Sequence, residues 1–278
     1  MPELPEVETI VRGLTIQMQT PIITDVTIYF SKIIADHQPD EFRDRVIGKR
    51  IIKITRRAKY IVFHLSENWY LILHLRMTGK VIIARDGQKA SRHDHLVLHL
   101  DNGTQLFYND TRKFGRFYLT QNPAEKLGKL GPEPLGEDFK FKEFSRKLKS
   151  TQRIIKAVLL DQTFVAGMGN IYTDEALFEA GIHPEQPTST LSRQKQKNLF
   201  TAIQNVLRKG IQNKGTTLGE GKPNYVSSDN KSGSNQHSLQ VFARTGLPCP
   251  KCQRSIKKIV VAQRGTHYCS NCQRLRKK

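Results

Sequence analysis

The chain reads as a multidomain protein of the α+β class, and three observations predict this. Between residues 20 and 119 apolar side chains alternate with polar ones in short runs, the pattern of half-buried strands. Past residue 150 the spacing becomes that of helix faces, beginning with Ile154, Ile155, Val158 and Leu159. The four cysteines, Cys249, Cys252, Cys269 and Cys272, all lie in the last thirty residues.

The first element is a helix over residues 5 to 14. Pro5 suits the first helical position, Glu6 and Glu8 suit the positive end of the dipole, and Val7, Ile10, Val11 and Leu14 fall on one face. Pro2 and Glu3 precede it and admit a second reading. Cytoplasmic processing commonly removes a methionine that precedes a small residue, which would leave the secondary amine of Pro2 as the terminus. An α-amine has a pKa of about 8, so part of it is neutral at physiological pH and able to attack electrophilic carbon. Pro2 is thus a candidate nucleophile with a carboxylate, Glu3, in reach.

The next hundred residues are expected to be strands. Val26, Ile28 and Phe30 alternate, as do Ile52 and Ile54, Ile61, Phe63 and Leu65, Leu71, Leu73 and Leu75, and Leu96, Leu98 and Leu100, with a hairpin turn at Asp101, Asn102 and Gly103. Strands with polar turns and no intervening helices predict an antiparallel sandwich or barrel. Gln121 to Glu137, rich in Pro and Gly, marks a boundary. Two further helical faces follow, one with Ala176, Leu177 and Ala180 ending at Gly181, the other from about Ser192 to Lys209 with Leu199, Ile203, Val206 and Leu207 inward. Helices joined by turns serve DNA binding or ordinary packing. Residues 213 to 238 lose periodicity and read as a mobile loop or linker.

The formal net charge is +20, from 45 Lys and Arg against 25 Asp and Glu. Such an excess asks for a polyanion, nucleic acid before a membrane surface. No apolar run approaches the roughly 20 residues of a membrane span, and no leader precedes a cleavage site, so a cytoplasmic protein is expected. The cysteines form two Cys-x-x-Cys pairs sixteen residues apart. That is the spacing of a zinc ribbon, the rival being disulfides in a secreted chain. Four thiolates close the tetrahedron, so one structural zinc ion is expected. Residues 241 to 278 hold ten Lys or Arg and no acid, a footprint for phosphate.

In order along the chain, Pro2-Glu3-Leu4-Pro5-Glu6-Val7-Glu8-Thr9, Arg56-Arg57-Ala58-Lys59-Tyr60, Asp110-Thr111-Arg112-Lys113-Phe114-Gly115, Gly131-Pro132-Glu133-Pro134-Leu135, Gly167-Met168-Gly169-Asn170-Ile171-Tyr172, Ala180-Gly181-Ile182-His183-Pro184 and Gln263-Arg264-Gly265-Thr266 resemble the motifs of the bacterial formamidopyrimidine-DNA glycosylases. The resemblance covers nearly the whole chain. It implies a β-sandwich catalytic domain over 1–131, a helix-two-turns-helix domain over 132–236 that includes a lesion loop at 213–237, and a zinc finger over 237–278.

It further implies a DNA repair enzyme, nucleoid-associated and monomeric, that acts on damaged double-stranded DNA without a small-molecule cofactor. Pro2 would attack C1′ of an extruded 8-oxoguanine or formamidopyrimidine nucleotide opposite cytosine, with Glu3 as general acid and base, Glu6 holding a water, and β and δ eliminations to follow. Met77, Arg112 and Phe114 would fill the vacated stack, although a lone Met or Phe after a strand is also ordinary core. Lys59, Asn170 and Arg264 would grip the DNA backbone, with Lys59 also counted in the catalytic set and Asn170 also suited to cap a helix. Lys156 matches a further DNA-binding position. Lys113 departs from a common second arginine, which leaves the backbone contact there open, and the stretches flanking Gly221-Lys222-Pro223 and Tyr225 depart in length, which leaves lesion preference open. Two alternatives stand beside this reading: an oxidised-pyrimidine glycosylase of the endonuclease VIII class, against which Leu4 and the Met77, Arg112, Phe114 set count, and a non-enzymatic DNA-binding homologue.

Overall fold

The computed structural model describes residues 1–85, 87–219 and 225–275. Gly221-Lys222-Pro223 and three of the ten ribbon cations, Arg276, Lys277 and Lys278, lie outside the described residues. The chain divides into two compact units, Met1–Lys129 with Asn213–Ser234, and Leu130–Gln212 with Asn235–Lys278.

The first unit opens with α1 (Leu4–Met18), followed by β1 (Ile23–Ile28), α2 (Pro39–Val46), β2 (Ile51–Arg57), β3 (Tyr60–Leu65), β4 (Tyr70–His74), β5 (Lys80–Arg85), β6 (Asp94–Leu100), β7 (Thr104–Asn109), β8 (Arg116–Thr120) and the short α3 (Ala124–Leu127). The strands form two four-stranded sheets, in the orders β1-β6-β7-β5 and β2-β3-β4-β8, with every neighbouring pair antiparallel. Leu96, Leu98, Leu106 and Tyr108 from one sheet share a core with Ile61, Phe63, Leu71 and Phe117 from the other, and α1 adds Val7, Ile10 and Leu14. This is the expected antiparallel sandwich with an N-terminal helix.

Two local readings need correction. Ile52 and Ile54 do not share a face: Ile52 is 55% exposed, whereas Ile51 and Ile54 are buried, because a bulge between Ile51 and Lys53 shifts the alternation by one residue. Nor are residues 20 to 119 all strand, since α2 interrupts them. Pro39 at its first turn, Asp40 and Glu41 beside it, and buried Phe42 and Val46 four residues apart carry a helical signal of their own.

The second unit holds α4 (Phe141–Lys149), α5 (Ile155–Leu160), α6 (Asn170–Ala180), α7 (Arg193–Gln212) and a hairpin of β9 (Lys257–Val261) and β10 (Arg264–Tyr268). Gly181, at φ +62°, ends α6 in the left-handed region. Inside α7, Gly210 lets Tyr172 of α6 pack close, for a Cβ there would stand 2.5 Å from its ring. The cysteine ribbon does not stand apart from the helices: Cys249, Ile256 and Cys269 share a buried cluster with Phe178 of α6.

The segment expected to be a mobile loop in the helical domain is grouped with the sandwich over Asn213–Ser234. Tyr225 enters the sandwich core, Thr216 and Ser228 are buried, and Ser228 bonds to Gln17 of α1 at 3.0 Å. Its described residues, 213–219 and 225–234, make scattered polar bonds and bury one aromatic side chain, which leave no periodicity in the sequence.

Candidate functional site

The start of α1 gathers charge around the chain terminus. Glu3 is the N-cap residue, and a capping box joins it to Glu6: the Glu3 carboxylate accepts the Glu6 N–H, and Glu6 Oε2 accepts the Glu3 N–H at 2.9 Å. The other oxygen of Glu6 accepts the Thr216 N–H at 2.7 Å. Glu6 therefore ties the 213–234 segment to the helix start, and both of its oxygens serve backbone rather than only a water. Pro2, Glu3 and Glu6 are all buried.

Lys59 follows Ala58 in the turn between β2 and β3, where Ala58 takes φ +52°. Arg56 fixes this turn, donating to the Ala58 carbonyl at 3.0 Å and to Glu8 of α1 at 2.9 Å. The free amine here belongs to Met1. Burial lowers its pKa below the ordinary value; Glu3 and Glu6 oppose the shift, and the charges of Lys59 and Arg112 add to it. Nearby, burial with Arg76 and Lys59 beside it holds His74 down to about 3, so its imidazole is neutral, and its Nδ1 accepts the Arg76 N–H at 3.0 Å.

One carboxylate builds the tip that carries Arg112 and Phe114. Asp110 accepts the N–H groups of Arg112 at 3.1 Å and of Phe114 and Gly115 at 2.9 Å, together with the hydroxyls of Thr78 and of Tyr108. A side chain at Gly115 would place Cβ 1.6 Å from the Tyr108 hydroxyl, so only glycine fits. Thr78 links this tip to the turn that carries Met77. Met77 and Phe114 are 37% and 47% exposed, unlike core residues, and the Arg112 guanidinium lies 4.6 Å over the Phe114 ring. The Asp110 motif is legible in the sequence, but the carboxylate's structural role is not.

In the second unit Asn170 begins α6 and its side-chain amide donates to the Gly265 carbonyl at 2.8 Å. The N-cap is Gly169, not Asn170. Arg264 is exposed at the hairpin tip, after Ala262 and Gln263 at φ +51° and +59°. Lys156, expected to bind DNA, lies in the interior of the second unit. It is fully buried, with its ammonium 2.6 Å from Asp174, whose second oxygen accepts the His267 N–H at 2.8 Å. Asp174 and Glu175 were missed. Two adjacent acids inside an apolar helix were the available signal, and Glu175 takes the N–H groups of Gln240, Val241 and Phe242.

The four cysteine sulfurs lie within 4.8 Å of one another, the Cys249–Cys272 and Cys252–Cys269 pairs at 3.9 and 3.5 Å. Zn–S bonds of about 2.3 Å in a tetrahedron put sulfurs about 3.8 Å apart, so the set fits one closed, structural zinc site.

Three family models match in sequence: the formamidopyrimidine-DNA glycosylase N-terminal domain over residues 1–117, the H2TH domain of the same enzyme over 130–220, and a zinc finger found in FPG and IleRS over 246–275. The formamidopyrimidine-DNA glycosylase of Protochlamydia amoebophila is 44% identical over 275 residues, covering 99% of this chain and 100% of the relative. The chain belongs to the formamidopyrimidine-DNA glycosylase family. Among solved structures, a Lactococcus lactis FPG mutant in complex with a Fapy-dG-containing DNA matches with a TM-score of 0.91 at 38% identity, covering 98% of this chain and 100% of that one. The Lactococcus lactis Fpg complex with an abasic-site-containing DNA matches at the same score and identity, covering 98% and 99%. As a glycosylase of this family the chain is a base excision repair enzyme with a zinc finger. No helix among the described residues is long and apolar enough to cross a membrane.

Proposed function

We propose that the chain is a bifunctional DNA glycosylase and AP lyase that excises 8-oxoguanine and formamidopyrimidines opposite cytosine, with Pro2 as nucleophile. The observation that carries this is buried Pro2 beside the carboxylates of Glu3 and Glu6, at a terminus whose Met1 amine has its pKa lowered by desolvation and cations. Removal of Met1 transfers the terminus to Pro2, one residue closer to Glu3. While Met1 remains, Pro2 is a tertiary amide and inert.

Reaching C1′ requires the damaged nucleotide to leave the stack, which costs a few kcal/mol. Exposed Met77 and Phe114 suit the vacated space, and Arg112 can offer donors to the stranded cytosine. The neutral Pro2 amine bonds to C1′ as the C1′–N bond breaks and the base leaves, taking up a proton. Glu3 protonates the ring oxygen as the sugar opens, giving an iminium. Loss of a C2′ proton then expels the 3′ phosphate, and a second elimination expels the 5′ phosphate. Lys59, Asn170 and Arg264 are assigned to the DNA backbone. Each residue of the scheme comes from one chain, so a monomer suffices, with the sandwich carrying the chemistry and the helices and ribbon carrying the duplex.

Borohydride added to the processed protein with an 8-oxoguanine:cytosine duplex is expected to trap a covalent complex through Pro2. Active protein that traps nothing would refute the nucleophile. A panel of duplexes with oxidised purines and pyrimidines tests the substrate class, and preference for the pyrimidines would favour the endonuclease VIII alternative.

A further inference from the structure

Glu8 stands on α1, the helix whose start carries Glu3 and Glu6, and the excision scheme gives it no role. Its carboxylate is divided between two guanidinium groups: Oε1 accepts Arg12 Nε at 2.8 Å along the helix, and Oε2 accepts Arg56 Nε at 2.9 Å across to β2. The two pairs differ in kind. The Arg12 side chain is 63% exposed, so that pair is helix surface and holds little. The Arg56 side chain is 10% exposed, and solvent screens its pair with Glu8 much less. Burial raises the Glu8 carboxyl, but hydrogen bonds from Arg12 and Arg56 outweigh it and hold the pKa below the ordinary value, so the carboxylate is ionised at neutral pH.

Arg56 passes the contact on, for its Nη1 donates to the Ala58 carbonyl at 3.0 Å. Ala58 and Lys59 are the two loop residues of the hairpin that the Arg57–Tyr60 pair closes, and both are buried. Ala58 takes φ +52° and Lys59 a negative φ, the signs of a type II′ turn, whose first loop position favours glycine. An alanine there is strained, and a strained residue persists where its surroundings hold it. The guanidinium is such a hold, reaching from the strand to the carbonyl of the strained residue.

Lys59 directly follows Ala58, so the conformation of Ala58 aims the lysine. One helix thus carries the chain terminus at its start and, through Glu8 and Arg56, the turn that presents Lys59. We propose that Glu8 is a positioning residue for excision: acting through Arg56 and the Ala58 carbonyl, it holds Lys59 in place against the terminal amine. This role rests on the reading in which Lys59 takes part in excision.

The groups around the amine give the test a sign. Desolvation lowers the Met1 amine, Glu3 and Glu6 raise it, and Lys59 and Arg112 lower it. The Pro2 amine of the processed chain is expected to meet the same groups. Loss of the Glu8 anion by itself would lower the amine's pKa and carry the acid limb of excision to lower pH. A Lys59 that swings away withdraws a cation instead, which raises the pKa and carries the limb to higher pH.

Full-length, processed, zinc-loaded protein is compared with Glu8→Gln, Lys59→Met, the two combined, and Glu8→Gln with Ala58→Gly. Single-turnover excision from a damaged duplex that the unaltered protein cleaves is followed across pH. Glu8→Gln is expected to slow excision by up to about 10²-fold, the scale of a misplacement of about 1 Å, and to move the acid limb to higher pH. Combined with Lys59→Met it should add little further loss, because both changes remove the same charge from the amine. Ala58→Gly should restore most of the rate and the limb to Glu8→Gln, since glycine takes the turn unaided, whereas a pair that only fastened α1 to β2 would not be rescued there. Native excision in Glu8→Gln, a limb moved to lower pH, additive losses, or no rescue by Ala58→Gly would each overturn the positioning role and leave the part of Lys59 standing. Lys59→Met with native rate and limb would overturn the reading of Lys59 and the role of Glu8 with it.

Discussion

Each unit buries a lysine, and the two lysines do opposite things. Lys156 has its charge met by Asp174 at 2.6 Å, and Asp174 in turn holds the hairpin through His267. Lys59 stands where its charge, with that of Arg112, acts against the terminal amine. A compensated buried pair fixes geometry, and breaking it leaves an uncompensated charge. Like charges gathered on a titratable group set its proton affinity. The first arrangement is scaffold and the second bears on a titratable amine, although both read in the sequence as a lysine within a matched motif.

The strongest way to break that contrast is to block the amine. A chain extended or acetylated at its terminus is expected to lose borohydride trapping and strand cleavage altogether while it still binds duplex in a gel-shift assay. Unchanged cleavage would show that the charge around the terminus serves something else. Next in size is Glu3→Gln, which keeps an oxygen for the helix cap but loses the acid. Excision should fall by about 10²–10⁴-fold with little change in melting temperature.

The amine also sharpens the contrast through pH. Desolvation and the cations lower the Met1 amine, and the Pro2 amine of the processed chain is expected to meet the same groups; a base is lost as pH falls through its pKa, so the acid limb of excision should lie below that of an unperturbed terminus. Lys59→Met removes one of the cations that depress it, and the acid limb should move to higher pH. A limb that stays put would detach Lys59 from the amine. Lys156→Met should leave the limb where it is and instead destabilise the second unit by about 3–5 kcal/mol, the cost of a broken buried pair, read as a lower melting temperature.

These differences also mark what the sequence made legible. Alternation and helical spacing gave the sandwich and the helices, because burial on one face imposes a period on the chain. The cysteine spacing gave the zinc site, because ligand geometry imposes one too. Ile52 was misread because a bulge breaks the period, and α2 because its eight residues carry only two buried apolar side chains. Asp110 was invisible as an organiser, since a carboxylate that accepts backbone N–H groups looks in the sequence like any surface acid, and Asp174 and Glu175 stood out only as adjacent acids in an apolar helix. Residues 213 to 238 read as a mobile loop or linker because the contacts that Tyr225 and Thr216 make leave no pattern in the sequence.

The smallest effect distinguishes a phosphate contact from a brace. Arg264 is exposed on the hairpin, and Lys156 holds that hairpin from inside through Asp174 and His267. Each phosphate neutralised by a cation releases counterion, so Arg264→Ala should weaken binding uniformly across sequences and reduce the slope of log affinity against log salt by about 1. Lys156→Met, measured below its melting transition, should weaken binding with the slope unchanged, because a buried ammonium releases no counterion from DNA. If Lys156→Met lowered the slope as Arg264→Ala does, Lys156 would touch phosphate after all, and the buried pair seen here would have to open when DNA binds.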